Sequence, residues 1–321
     1  MYYPYLYARR GEVLAFRDVM SQLKADNTVV PVLEPVSSDI SSLRLALEAA
    51  KKAAQPAYLV LNPALGKFKE VTAETKAWMA DALSIAQSNP FVRPAILIGP
   101  NETLAHLRTY VKAWGGREAG VILRGNNLSA NVIAAETAGK FSKAMYFLTG
   151  GTPTPSVLAA FGSKNCVLVE DRFLVQPSNA LYKGIEQFTG MHLTYKKMGY
   201  GGFSDYTGLA AKFREGGSLP AAVAIHLTFY ETKTREVSIE HFVSTSKLAS
   251  DRDLPKKMRE AIAAVVAART RHGDSFGLSA AYKLYMDAHA KKSDVSLQKS
   301  KRWSVGHHMD LMSGLLSGRF K

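Results

Sequence analysis

Eight short apolar runs rich in β-formers punctuate the chain, at residues 2–7, 28–33, 57–61, 94–98, 120–123, 144–148, 166–169 and 221–230. Each breaks into polar or Gly/Pro residues, and most are followed by an amphipathic stretch. Strands alternating with helices at this pitch pair in parallel through crossover helices, and eight such units are the number that closes a (β/α)8 barrel. The fold class expected is therefore α/β, a TIM-like barrel over residues 1–271. Its last strand extends into a β-hairpin at 221–244, because the segment reads as two β runs across a polar turn at 232–235. Residues 272–321 read as a helical extension packed on the barrel or on a partner.

Helices between the runs follow from apolar spacing near 3.6 residues. Val13, Phe16, Val19, Met20 and Leu23 make the first stripe, Leu43, Leu45, Leu47 and Ala50 the second, Trp78, Met79, Leu83 and Ile85 the third, and Leu104, Leu107, Val111 and Trp114 the fourth. Ser37 to Asp39, Thr72, Asn101 and Thr152 to Ser156 supply capping oxygens. The rhythm fails after the seventh run, where residues 176–219 contain KKMGYGGFSDYTGLAAKFREGG, too long for an ordinary βα connection and of the length used for lids and binding loops. Beyond residue 250 the helical stretches are 254–268, assigned as the eighth barrel helix, then 279–292 and 303–316.

The chain has 321 residues, 47% of them hydrophobic and 21% charged, which places it among folded globular proteins with a large core. No apolar segment approaches a membrane span and the start lacks a signal-peptide pattern, so a cytoplasmic protein is expected. The lone Cys166 sits in an apolar run and reads as a small buried hydrophobe. Net charge is +14, from 41 Lys plus Arg against 27 Asp plus Glu, and such an excess attracts polyanions. Much of it is C-terminal, in Lys256, Lys257, Arg259, Arg269 and Arg271 and again in Lys291, Lys292, Lys299, Lys301 and Arg302.

Five strings, YYPYLYARRGE, VLEPV, GFSDY, AIHLTFY and RWSVGHHMDLM, together resemble the Beta protein family of bacteria and phages, over residues 2–312. The resemblance implies a setting in mobile-element or antiviral defence neighbourhoods, often beside a nuclease-like gene. It brings no established reaction, so no residue inherits a catalytic role from it.

In a barrel of this type the loops at the strand C-termini build the site. The run endings supply an acidic set of Glu34, Glu170, Asp171 and Asp205, with His226 opposite, able to act as acid and base. The competing reading is a structural ion pair with Arg124 or Arg172, which the residues favour over metal binding because no metal-ligand spacing is present. A cationic set of Arg9, Arg124, Arg172, Lys196 or Lys197, Arg302 and His307-His308 suits phosphate, and Gly150-Gly151-Thr152 offers backbone N–H groups at a helix start. In the Gly-rich stretch Tyr200, Phe203 and Tyr206 are placed to stack on a base or sugar, or else the stretch is a plain loop whose Asp205 caps the next helix. His307 and His308 fall on an apolar helical stripe and read first as packing residues.

The leading expectation is a barrel that binds a phosphorylated or nucleic-acid-derived anion at its mouth, with phosphate-ester chemistry as the reaction class. Glu34, Asp171 and His226 are the catalytic candidates, and Tyr7, Asn62, Arg124, Arg172, Asp205, Tyr206 and Thr228 the ligand-binding ones. No cofactor or metal is specified by the residues. The alternative is a non-enzymatic nucleic-acid-binding or scaffolding subunit of a nuclease-like partner, acting through Lys256, Lys257, Lys301 and Arg302. Oligomer formation stays open.

Overall fold

The structure, a computed structural model, describes residues 1–215, 219–248 and 250–320, so residues 216–218 of the long stretch 176–219 lie outside the described residues. The strands are β1 (Tyr5–Leu6), β2 (Val32–Leu33), β3 (Ala57–Val60), β4 (Val92–Ile98), β5 (Glu118–Leu123), β6 (Lys143–Leu148), β7 (Cys166–Glu170), β8 (Ile185–Thr189), β9 (Gly202–Asp205), β10 (Ala224–Tyr230) and β11 (Val237–Val243). The helices are α1 (Arg10–Asp26), α2 (Ser41–Ala53), α3 (Ala73–Ser88), α4 (Leu104–Trp114), α5 (Ala130–Thr137), α6 (Pro155–Phe161), α7 (Met191–Thr194), α8 (Leu254–His272), α9 (Ala280–Ala290) and α10 (Leu297–Ser317). Contacts divide them into two units, one of residues 1–13, 28–171 and 194–205, the other of residues 14–27, 172–193 and 206–321. The boundary expected at residue 271 falls inside the second unit, at the end of α8.

The first unit holds the (β/α)8 barrel. Its eight parallel strands run in the order β1 to β7 and then β9, and the ring closes through the parallel bridge between Tyr2 and Phe203. Tyr3 N–H donates to Phe203 O and Phe203 N–H to Met1 O, so the closing seam is a real ladder of two bonds. Inside, the rings of Tyr3, Tyr58 and Phe147 meet at 5.2–6.1 Å. That filling explains two glycines. A Cβ on Gly120 would stand 2.9 Å from the Tyr58 ring, and one on Gly202 would stand 2.4 Å from the Tyr3 ring and 2.7 Å from Met1 O.

Here one sequence expectation is corrected: the eighth barrel strand is β9, inside the stretch read as a Gly-rich loop, and not the run at 221–230. The Gly-Phe-Ser-Asp segment closes the ring because glycine lets it approach Tyr3, and Phe203 stacks on Tyr2 with centroids 5.1 Å apart. The aromatics expected to stack on a ligand are thus partly used within the protein.

The run at 221–230 belongs to the second unit, where β10, β11 and β8 form an antiparallel sheet with β11 in the middle. The expected hairpin is present. β10 and β11 pair from Ala224 opposite Val243 to Tyr230 opposite Val237, and the turn is fastened by Glu231 N–H to Glu236 O at 2.7 Å. Ile225, Leu227, Phe229 and Phe242 face one core together with Met258, Ile262 and Val265 of α8 and Tyr282 and Tyr285 of α9. Consequently α8, expected as the eighth barrel helix, is the cover of this second sheet.

β10 is an edge strand, and exposed edges invite unwanted pairing. α10 covers this one: the His307 ring donates from Nε2 to Thr228 O at 2.7 Å, leaving Nδ1 to accept from Ser279 Oγ at 2.7 Å. The same Ser279 oxygen caps α9 by accepting from Tyr282 N–H at 3.0 Å. His308, also buried, pairs with Thr228 Oγ1 at 2.9 Å. Nearer the start of α10, Arg302 grips Asp18 through two nitrogens at 2.5 Å each, and just past its end Arg319 joins Asp26 at 2.8 Å and Asp310. Of the expected stripes, Phe16, Leu23, Leu47, Trp78 and Leu107 are buried, though Leu45 and Leu83 face solvent; Thr72 and Thr154 cap α3 and α6 as expected, whereas α4 is capped by Thr103 and not Asn101, and α2 starts after Ile40 without a side-chain cap. Thr72 and Thr75 form a reciprocal cap at α3, worth about 1 kcal/mol. Among the described residues no helix is long and apolar enough to cross a membrane.

Candidate functional site

Two clusters carry the polar groups singled out in the sequence, one in each unit. At the C-terminal end of the barrel strands, Glu34 follows β2 and Arg124 follows β5, both continuing the inward alternation. Arg124 binds the wholly buried Glu34 carboxylate bidentately, at 2.9 Å from Nη1 and 2.5 Å from Nη2, and Nη2 also donates to the Tyr5 hydroxyl at 2.7 Å. Tyr5 in turn donates to Glu34 at 2.6 Å, and the guanidinium lies 5.5 Å over the Tyr5 ring. This triad is the structural ion pair that the sequence offered as the rival of an acid/base site. Both oxygens of this carboxylate are taken up inside the protein, by two guanidinium nitrogens and a phenol.

Neighbouring residues are likewise engaged. Asn62 accepts from Leu97 N–H and donates to Leu97 O, both at 2.8 Å, which ties the end of β3 to β4, and also reaches Glu102 at 3.2 Å. Tyr7 is buried with its ring 6.0 Å from Tyr5. Thr149 is bound to Leu123 O. Register settles the strand-seven carboxylates: Val167 pairs with Gly202 on the inward face, so Glu170, paired with Asp205, belongs to the outward set. Asp171 is the exposed residue next along, with the inward parity.

Five expected mouth residues are elsewhere. Asp205 is buried on the outward face of β9, where the Tyr2 hydroxyl donates to it at 2.7 Å and burial pushes the Tyr2 phenol well above its usual range. Arg172, exposed, and Tyr206, buried, belong to the second unit. His226 and Thr228 sit on β10 in the antiparallel sheet, because the strand that carries them is not part of the barrel. Other expectations also changed. Cys166 is buried, its thiol pushed up to about 11 by desolvation, as fits a core residue. Lys257, read as part of a basic surface, is fully buried and its ammonium donates to Ala221 O at 2.8 Å, to Leu248 O at 2.9 Å and to Asp251 O. Arg302 pairs with Asp18, Lys256 with Asp251 at 3.3 Å and Arg259 with Asp294 at 2.7 Å, so several of the C-terminal cations face a carboxylate of the same chain.

His226 opens onto a cavity of about 320 Å³ in the second unit, lined also by Phe173, Asn179, Tyr182, Met258 and Lys301. Its Nδ1 stands 2.7 Å from Nδ1 of His241, which lies directly opposite it on β11. The other nitrogen of His241 is 3.3 Å from a Glu186 oxygen on β8, within ion-pair reach but off the axis of a formed hydrogen bond. Phe173 and Tyr182 hold the His226 ring edge-on, with centroids at 5.0 and 4.6 Å. Burial, helped by His241 and Lys301, pushes the His226 imidazole down to about 3, so it is neutral at physiological pH. His241 and Glu186 were not singled out in the sequence. The hairpin held the signal for His241, since a turn centred between Lys233 and Thr234 sets it opposite His226.

No protein-family model matches the chain, and no curated protein matches it. Among the described residues no three His, Cys, Asp or Glu side chains are grouped to hold a metal ion.

Proposed function

We propose that the chain binds a phosphorylated or nucleic-acid-derived anion, and that the binding site is the His226 cavity of the second unit. The observation that carries the reading is the shared wall of Lys301 and His226 in a cavity of about 320 Å³, within the range of small-molecule sites. The Lys301 ammonium supplies charge and hydrogen-bond donors to a phosphoryl oxygen, the neutral His226 imidazole supplies an acceptor beside it, and Phe173 and Tyr182 offer apolar faces to the remainder of the ligand. The mouth of the barrel is less suited, because Glu34 already occupies the Arg124 fork that an incoming anion would need. Membership of the Beta protein family and a defence setting belong to the same proposal, resting on the sequence strings alone.

Calorimetric titration of inorganic phosphate into the full chain tests it. The reading expects saturable binding that Lys301→Ala weakens at least fivefold, and Lys301→Ala binding as tightly as the parent sinks it. The nucleic-acid-binding alternative has one observation in its favour, a cleft of about 280 Å³ between α8 and α9 lined by Arg259, His289 and Lys292. Titration of single- and double-stranded DNA and RNA across salt separates the two, since an electrostatic surface loses affinity linearly in log salt.

A further inference from the structure

The sheet of the second unit lines up three titratable side chains from three adjacent strands: Glu186 on β8, His241 on β11 and His226 on β10. Ile225, Leu227 and Phe242 face the core, so the intervening His226 and His241 share the opposite face. Contact at 2.7 Å between the two Nδ1 atoms requires one proton between them, and a carboxylate 3.3 Å from His241 Nε2 favours N–H at that end. With one proton on each imidazole, His241 accepts at Nδ1, His226 donates from Nδ1, and His226 Nε2 carries a lone pair. Among the described residues that nitrogen makes no hydrogen bond, and His226 lines the cavity.

We infer that His226 is the general base of a hydrolytic site whose substrate is a phosphoester seated against Lys301, with His241 and Glu186 as positioning residues that orient it. The inference rests on the anion-binding reading above and adds a reaction to it. A base hydrogen-bonded to a group that fixes its tautomer, with a cation beside the reacting centre, is the arrangement that activates a nucleophile. Water gives a proton to His226 Nε2 while its oxygen bonds to phosphorus. The P–O bond to the alcohol breaks, its electron pair leaves on the alcohol oxygen, and that oxygen takes the proton back from the imidazolium. One ester and one water yield one alcohol and one phosphate, with no redox change. Lys301 meets charge on the non-bridging oxygens, and Glu186 offsets the cation that forms on the histidine pair.

The groups facing His226 are His241 from β11, with Glu186 of β8 behind it, Lys301 from α10, and the phenol of Tyr182, near which Arg214 lies. Burial first, and then His241 and Lys301, hold the imidazole down. An anion on Lys301 offsets part of that effect and lifts His226 toward the range of a working base.

The test is release of p-nitrophenolate from p-nitrophenyl phosphate and bis(p-nitrophenyl) phosphate by the full chain, alongside calorimetry with inorganic phosphate. Turnover of at least one ester is expected. His226→Gln lowers kcat about 100-fold with phosphate affinity retained. Glu186→Gln and His241→Asn lower kcat less and displace the acid limb of the pH profile, while KM changes little. Circular dichroism and thermal melts check that each variant is folded. If phosphate binds in a Lys301-dependent way but neither ester turns over, or if His226→Gln turns over as fast as the parent, the base assignment is wrong and the binding reading stands. If phosphate does not bind, both readings fail together.

Discussion

The barrel mouth and the His226 cavity contain similar chemistry, a carboxylate, a cation and a hydrogen-bonding ring, arranged to opposite ends. In the mouth Arg124, Glu34 and Tyr5 consume one another through four hydrogen bonds, and the carboxylate is wholly buried. In the cavity the carboxylate stands one residue removed from the base, behind His241, and the cation and the imidazole face the same open volume. Placing charges side by side yields stability. Placing them in series along a sheet leaves a neutral imidazole at the end of the series, where a ligand can reach it.

The contrast is breakable at several points. Glu34→Ala leaves Arg124 partly buried without its carboxylate, and breaking such a pair costs about 3–5 kcal/mol, measurable as a lower denaturant midpoint with little change in the cooperativity of unfolding. A loss under 1 kcal/mol would mean the mouth triad is not structural.

His307 provides a control within the second unit, a buried histidine with both nitrogens used. Burial lowers it from 6.5 to about 4, so between these values the unfolded chain binds a proton that the folded one refuses. Its contribution is fully present above pH 6.5 and is lost as pH falls to about 4, on the order of 3 kcal/mol. Stability measured from pH 7 to 4.5 is expected to fall less steeply for His307→Gln than for the parent. Parallel curves would contradict the assignment.

Gly202→Ala presses a methyl onto the Tyr3 ring and Met1 O at the seam where β9 closes the barrel. The expected cost is about 1–3 kcal/mol, and a neutral effect in a thermal melt would show that the seam is looser than described. Smallest of all, Asn62→Ala, which loosens the tie between β3 and β4, is expected to leave phosphate affinity within twofold, because the mouth is not the site. A tenfold loss would return the ligand to the barrel.

Seven of the eight barrel strands were legible because Val, Leu, Ile and Tyr cluster where both faces of a parallel strand are buried. β9 was not, since its four residues include one bulky apolar side chain and its one glycine, Gly202, serves an approach to Tyr3 that only the folded ring reveals. The strand mistaken for it carries a visible clue: in AIHLTFY, Ile225, Leu227 and Phe229 alternate with His226, Thr228 and Tyr230, the period of a half-covered antiparallel strand. An ion pair between one of the carboxylates and Arg124 or Arg172 was anticipated as one of two readings, but not that Glu34 is the carboxylate in it. Lys257 was not, because its partners are backbone carbonyls, which leave no mark in a sequence. Glu186 was missed for a related reason: β8 joins the sheet from the far side of β11, and nothing local pairs it with His241.

The most direct measurement labels the histidine rings with 13C at Cε1 and follows their NMR signals during titration with inorganic phosphate. His106, hydrogen-bonded at 2.9 Å to Glu102, which also holds Asn62, reports on the barrel mouth, and His226 and His241 report on the cavity. The prediction is saturable movement of the His226 and His241 signals with one dissociation constant while His106 stays fixed. Movement of His106 with the cavity pair unmoved would contradict it.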